Sequence, residues 1–189
     1  ERPDRAVVYR HQHRQELCIE ARFQSFRQEA IMKKYSLEWW QAQPPEKVGK
    51  ETEKIVEKLF IEWNHSQAFA WHRMPDARAA RGRLAAQPAD YLYRCGEHAG
   101  FIEVKALKHE YRLPKDRVSQ LPTLLKWNLA GSDDLILVFH YMIGKWRWMF
   151  PHQLETDVPS WDLSCFVTFD SAEEALKSTG YFNVGEQEE

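Results

Sequence analysis

The run Leu135-Ile136-Leu137-Val138-Phe139-His140-Tyr141 constrains the fold more than any other stretch of the chain. It is apolar almost throughout, with no alternation, which suits a buried central strand rather than one lying half in water. Such a strand needs partners on its edges and helices over its faces. Ala68–Arg73, Ala89–Cys95 and Gly100–Leu107 read as strands, the last two joined by a turn over Gly96–Ala99. Lys145–Phe150, after Gly144, and Ser164–Phe169 read as closing strands. Gly49–Asn64, Pro114–Leu129 and Ala172–Lys177 follow the rhythm of helices. This order predicts an α/β fold, a mixed central β-sheet flanked by helices.

The first 33 residues have no Gly, and their apolar positions (Val7, Val8, Leu17, Cys18, Ala21, Phe26, Ile31) are spaced as in one long, partly amphipathic helix or two shorter ones. Trp39 and Trp40 follow, and Gln43-Pro44-Pro45-Glu46 marks a boundary. The expected organisation is an N-terminal helical extension over 1–45, a core over 46–170, and a short helix with an acidic tail over 171–189. With 43% hydrophobic and 29% charged residues the chain is globular rather than disordered. Cys18, Cys95 and Cys165 are odd in number and far apart, which excludes a disulfide framework or a CxxC zinc site and points to a reducing compartment. No apolar run nears the roughly 18–20 residues of a membrane span, and no signal-peptide pattern is visible. A chain starting at Glu1 fits one that has lost a targeting segment.

The net charge of −2 conceals a strong asymmetry. Residues 71–120 carry ten Lys and Arg against six Asp and Glu, whereas 151–189 carry one against nine. An acidic tail therefore masks a basic middle able to meet a polyanion.

In the helix expected over Gly49–Asn64, one stripe holds Val48, Glu51, Thr52, Ile55, Val56, Leu59, Phe60 and Trp63. Glu51 is the anomaly, a carboxylate among apolar neighbours that must find a partner or a metal. Glu53 and Glu57 fall on the outer face with Lys50, Lys54 and Lys58.

Asp90 opens one strand of the expected hairpin, and Ile102-Glu103-Val104-Lys105 lies late in the next. A hairpin can bring Asp90 beside Glu103, and Glu103 and Lys105, two apart, share a face. Two carboxylates with the Val104 carbonyl make a hard-oxygen half-shell suited to Mg²⁺. A cation there acidifies bound water and stabilises charge on a phosphate, and Lys105 can assist at either group.

Taken together, Gly49-Lys50-Glu51 with Glu53, Asp90, Glu103-Val104-Lys105, and Gln120 in Arg117-Val118-Ser119-Gln120-Leu121 resemble the PD-(D/E)xK nuclease superfamily. The likeness is greatest to archaeal-type Holliday-junction resolvases and their bacterial and phage relatives. It spans about residues 48–150 and includes Leu135–Phe139 and Gly144-Lys145-Trp146-Arg147. Ala89 departs from the bulkier residue usual before the Asp, and the first 45 residues have no counterpart. The resemblance implies a restriction-endonuclease-like fold and a Mg²⁺-dependent endonuclease, with Mn²⁺ able to substitute. Glu51, Asp90, Glu103 and Val104 would hold metal, and Lys105 and Gln120 would assist hydrolysis. The implied substrate is branched or double-stranded DNA, and a two-fold junction implies a homodimer. The implied location is intracellular, in cytoplasm or nucleoid, with no membrane, and phage-encoded members belong to the same group.

Arg78, Arg81 and Arg83 lie in the basic stretch Met74–Gln87, expected to be a loop that contacts phosphate; Lys108, Arg112 and Lys115 are further candidates for DNA contact. His72, His109, His140 and the pair His11 and His13 lack zinc spacing. Trp146 and Trp148 alternate with Lys145 and Arg147, so one pair should face the core. No P-loop, GxGxxG or GxSxG occurs. A site-specific or end-processing nuclease on the same core, and a non-catalytic DNA-binding module, are the rival readings.

Overall fold

The structure, a computed structural model, describes residues 34–75 and 87–184. The helix expected before residue 34, the loop with Arg78, Arg81 and Arg83, and the last five acidic-tail residues lie outside the described residues. The chain divides into two units, residues 1–42 and 43–189. In the first, helix α1 (Leu37–Ala42) carries Trp39 and Trp40, whose rings meet edge-on at 4.9 Å, with Tyr35 at 5.6 Å from Trp39.

The second unit begins with helix α2 (Pro45–Trp63), four residues ahead of the start predicted at Gly49. Pro45 opens it because the first turn has no use for its missing N–H. Val48, Glu51, Thr52, Val56, Leu59, Phe60 and Trp63 are buried, the stripe predicted apart from the partly covered Ile55. Strands β1 (Phe69–Arg73), β2 (Tyr91–Cys95) and β3 (His98–Leu107) follow. The β2–β3 turn is the two residues Gly96 and Glu97, with Gly96 at φ 59°, a conformation glycine adopts without strain.

Next come β4 (Arg112–Pro114), a 3₁₀ turn (Lys115–Arg117) and helix α3 (Leu121–Leu129). The single helix expected over Pro114–Leu129 is thus broken. Pro122 would clash with the carbonyl four residues back, and that residue, Val118, is off-helix at φ −118°, ψ 61°. Strands β5 (Leu135–His140), β6 (Lys145–Met149) and β7 (Ser160–Asp162) and helix α4 (Ala172–Lys177) complete the unit. The strand expected over Ser164–Phe169 is absent. Only Phe169 pairs, exchanging backbone hydrogen bonds with Trp146, and the final strand is instead β7, paired with β4.

The main sheet is mixed, in the order β1-β2-β3-β5-β6, antiparallel except for the parallel β3–β5 pair. A parallel pair needs a long crossover, which β4, the 3₁₀ turn and α3 provide. The apolar run is fully buried as β5, but the middle position belongs to β3. Helix α2 covers one face, where Phe60 meets Tyr91 at 5.4 Å and Trp71 at 5.7 Å. On the other face Phe101, Leu107, Ile136, Val138 and Met149 pack with Leu121 and Leu124 of α3 and with Leu113 and Trp161. The C-terminal stretch, expected as a short helix and tail, sends Phe182 into the core, 4.6 Å from Tyr93. Among the described residues no helix is long and apolar enough to cross a membrane.

Candidate active site

The hairpin register sets the site. Tyr91 pairs with Ile102, so Asp90 stands opposite Glu103, one step past the end of the ladder. Beyond that point β3 has lost its β2 partner, and the Asp90 carboxylate replaces it: Oδ2 accepts the Val104 N–H at 2.8 Å. The N–H and C=O of one strand residue share an edge, so the Val104 carbonyl faces the same side as Asp90. The Asp90 carbonyl in turn accepts the Met74 N–H at 2.9 Å, tying the start of β2 to the end of β1.

Glu103 is fully buried. Its Oε1 accepts a hydrogen bond from Lys105 Nζ, while Oε2 has no partner. Burial, followed by the charge of Asp90, pushes its pKa up to about 7, and Lys105 opposes the rise. A buried carboxylate with an unbonded oxygen is costly unless something positive or protic reaches it. Asp90, Glu103 and the Val104 carbonyl therefore fit a hard cation by donor type, since Mg²⁺ is commonly bound through one or two carboxylates plus water. Lys105 stands on the same face as Glu103 and is one-fifth exposed.

Glu51 is buried as its helical phase predicts, but its carboxylate pairs with Lys54 at 2.8 Å on its own helix. The helix carboxylate whose charge acts on Glu103 is Glu53. Glu53 and Glu57, expected on the outer face, are instead half-buried and grip Arg73 of β1 at 2.8 and 3.0 Å. The Glu53 carbonyl also receives the Tyr91 hydroxyl at 3.0 Å. Among the described residues no three His, Cys, Asp or Glu side chains gather as a metal cage, so Glu51, Asp90 and Glu103 do not form one. The signal for Glu53 lay in the sequence as the second acid of Glu51-Thr52-Glu53, two residues away on the helix and hence on a different flank.

Gln120 is the residue before α3; its Oε1 accepts from Ser119 Oγ at 3.0 Å, and its carbonyl receives the Leu124 N–H at 3.0 Å. Lys108, Arg112 and Lys115 are all exposed along the segment leaving β3. Arg112 Nε donates to Ser160 Oγ at 3.0 Å, and Lys115 Nζ donates to the Thr156 carbonyl. His72 and His109 are exposed and His140 is buried.

No family model and no curated protein matches the chain. Among solved structures it is similar to Hjc, a Holliday junction resolvase from the archaeal hyperthermophile Archaeoglobus fulgidus. That match has a TM-score of 0.42 and 21% sequence identity, covering 70% of this chain and 98% of the other.

Proposed function

We propose that the chain is a Mg²⁺-dependent endonuclease that hydrolyses phosphodiester bonds in DNA, with four-way junctions as its substrate and Mn²⁺ able to replace Mg²⁺. The observation that carries this reading is the buried Glu103 carboxylate, half unbonded, beside Asp90 and on one face with Lys105. Asp90, Glu103 and the Val104 carbonyl would hold the cation, which when bound supplies positive charge to the scissile phosphate and acidifies water. Lys105 places an ammonium where it donates to a phosphate oxygen and offsets the charge gathering there. Glu53 deepens the negative field that draws a cation to Glu103. Gln120 has the donor and acceptor needed to orient a water or a phosphate. Lys108, Arg112 and Lys115, with Arg78, Arg81 and Arg83, would contact backbone phosphates, giving affinity without sequence preference.

A junction with two-fold symmetry calls for two paired cuts, so the active form is a homodimer of about twice the 22.4 kDa chain mass. Acting on DNA junctions, it would work inside the cell. One observation favours a second reading, a DNA-binding module without hydrolysis: Glu51, which should supply the helix carboxylate of a metal set, is tied to Lys54. Labelled linear, flap and four-way DNA incubated with and without Mg²⁺ separates the readings. Paired, Mg²⁺-dependent cuts confined to junctions support the proposal, whereas binding without cuts favours the module. Cuts on linear DNA as fast as on junctions leave a general nuclease.

A further inference from the structure

Arg147, in the middle of β6, is 3% exposed and is the one fully buried Lys or Arg among the described residues. A guanidinium taken out of water needs compensation, ordinarily a carboxylate. Among the described residues Arg147 makes no contact ion pair; its charge acts on the exposed Asp162 carboxylate through space, and its direct contacts are dipolar. Nη1 donates to the Glu110 carbonyl at 2.5 Å and lies 3.5 Å from His140 Nε2, and the guanidinium carbon sits 5.2 Å from the Tyr111 ring centroid. Nε has no partner. His140, fully buried, lies with Nδ1 3.0 Å from the His109 carbonyl. Since that carbonyl can only accept, Nδ1 is assigned the proton and Nε2 turns its lone pair to Arg147. Burial holds the His140 pKa down to about 4, so the imidazole is neutral and can accept.

These anchors converge. His109, Glu110 and Tyr111 are consecutive residues of the turn leaving β3, and the Arg147–His140 pair holds all three. The Tyr111 carbonyl is held as well, by the Leu163 N–H at 2.8 Å. Packing alone would be served as well by an apolar side chain of similar length, so the buried charge is what needs explaining. Register supplies the link to the site. Lys105 pairs with Val138, and Val138 pairs with Arg147, so Lys105 and Arg147 rise from the same face in one row, two strand spacings or about 10 Å apart. The clamped turn begins at exposed Lys108 and runs into Arg112.

We infer that Arg147, backed by His140, is a positioning residue that clamps the Lys108–Tyr111 turn so that Lys108 and Arg112 meet DNA phosphates beside the one presented to Glu103 and Lys105. The inference rests on the nuclease reading above and adds a device to it. Arg147 itself touches no DNA and acts through the turn.

A double-mutant cycle on DNA affinity tests it, using labelled duplex and four-way DNA without divalent metal across roughly 50–200 mM salt. Lys108→Ala should weaken binding about three- to tenfold and flatten the salt dependence by about one unit of slope. Arg147→Met, which removes charge but keeps length, should weaken both DNA shapes at least as much and flatten the slope equally or more. In that background Lys108→Ala should cost less than about twofold, because the lysine has already lost its place. Arg147→Lys should not restore the slope, since a Lys side chain is shorter and has no planar group to lay over the Tyr111 ring. A merely structural loss lowers the active fraction and leaves the slope alone. Should Arg147→Met fail to fold, Tyr111→Leu, at a residue 48% exposed, takes its place in the cycle with the same non-additivity expected. Independent, multiplicative effects, or an unchanged salt slope, overturn the inference alone. A wild-type chain that binds neither DNA overturns the nuclease reading and the inference together.

Discussion

The Asp90 carboxylate accepts the Val104 backbone N–H at 2.8 Å, so the side chain of one residue continues a β-ladder that the backbone has abandoned. The same bond that keeps β3 in register therefore aims Asp90 at Glu103. Structure and chemistry can be separated there by choice of substitution. Asp90→Ala leaves a largely buried N–H unpaired and should cost about 1–3 kcal/mol of stability. Asp90→Asn keeps an acceptor for Val104 and should melt close to wild type, yet it removes the charge proposed to hold the cation. Both variants should lose DNA cleavage in Mg²⁺, with only the alanine losing stability in urea titration. An active Asp90→Asn would remove Asp90 from the metal set.

Glu103 predicts a pH dependence whose sign is opposite to that of most carboxylates. Its folded pKa, about 7, lies above the unfolded value near 4.5, so the folded state binds more protons between them. Stability from this group is complete below about pH 4.5, falls as pH rises toward 7, and stays low above it. Glu103→Gln mimics the protonated form. It should melt higher than wild type at pH 8, by something on the order of 2–3 kcal/mol, with the gap closing near pH 5. Mg²⁺ should raise the wild-type melting temperature at pH 8 and leave Glu103→Gln unmoved. Equal Mg²⁺ effects on both proteins would place the cation elsewhere.

The two helix acids reverse roles between sequence and structure. Helical phase singles out Glu51, and the structure does bury it, but against Lys54. Glu53 is the one whose charge reaches Glu103. Glu53→Gln should therefore slow cleavage at limiting Mg²⁺ by about two- to fivefold and raise the Mg²⁺ concentration needed for half-maximal rate, its charge being the smallest of the influences on Glu103 and shared with Arg73. Glu51→Gln should change neither by more than about twofold, since the partner its carboxylate holds, Lys54, is itself mostly solvated. Rates measured across a Mg²⁺ titration decide between them.

What could be read from the sequence was whatever carried a long period or a compact motif. The α2 stripe repeats over nineteen residues, and Val48 through Trp63 fell into place on it. The hairpin announced itself through Gly96 and through the spacing of Asp90 and Glu103. Short elements did not: β4 and β7 have three residues each and one fully buried side chain apiece, Leu113 and Trp161, too few for alternation to show. Glu53 escaped because helical phase tells how deep a residue lies, not that Arg73, twenty positions on, will draw it toward β1. Arg147 escaped because alternation in β6 assumed one wet face. Phe169 closes the edge beside Trp146 and α4 packs on the strand, so Trp146 and Arg147, on opposite faces, are both buried.

Gly100 offers a test of the scaffold apart from the chemistry. A methyl group there would fall inside van der Waals contact of the Asp133 backbone, which crosses β3 to let the Asp134 carboxylate accept the Phe101 N–H at 2.8 Å. Backbone cannot yield as a flexible side chain would. Gly100→Ala should destabilise by about 1–3 kcal/mol or more, read from the urea midpoint at unchanged slope. A neutral substitution would mean that the approach of Asp133 is looser than described.

In the proposed reaction Lys105 joins the electrostatics to the chemistry. Its ammonium bonds Glu103 and is one of the influences holding that carboxyl down, against burial and Asp90. Removing it in Lys105→Ala has two separable consequences. The charge offered to the phosphate is lost at every pH, which lowers the rate uniformly. The Glu103 pKa also climbs further, so at pH 7 more of the carboxyl is protonated and less is available to a cation. The second loss should recede as pH rises and Glu103 ionises, while the first should not. Cleavage rates of Lys105→Ala at a fixed, sub-saturating Mg²⁺ concentration should therefore lie at least a hundredfold below wild type at pH 7 and recover only in part by pH 9. The rising limb of the pH–rate curve should move to higher pH. A pH-independent deficit would confine Lys105 to the phosphate, and full recovery at pH 9 would confine it to Glu103. A variant as fast as wild type throughout would remove Lys105 from the chemistry.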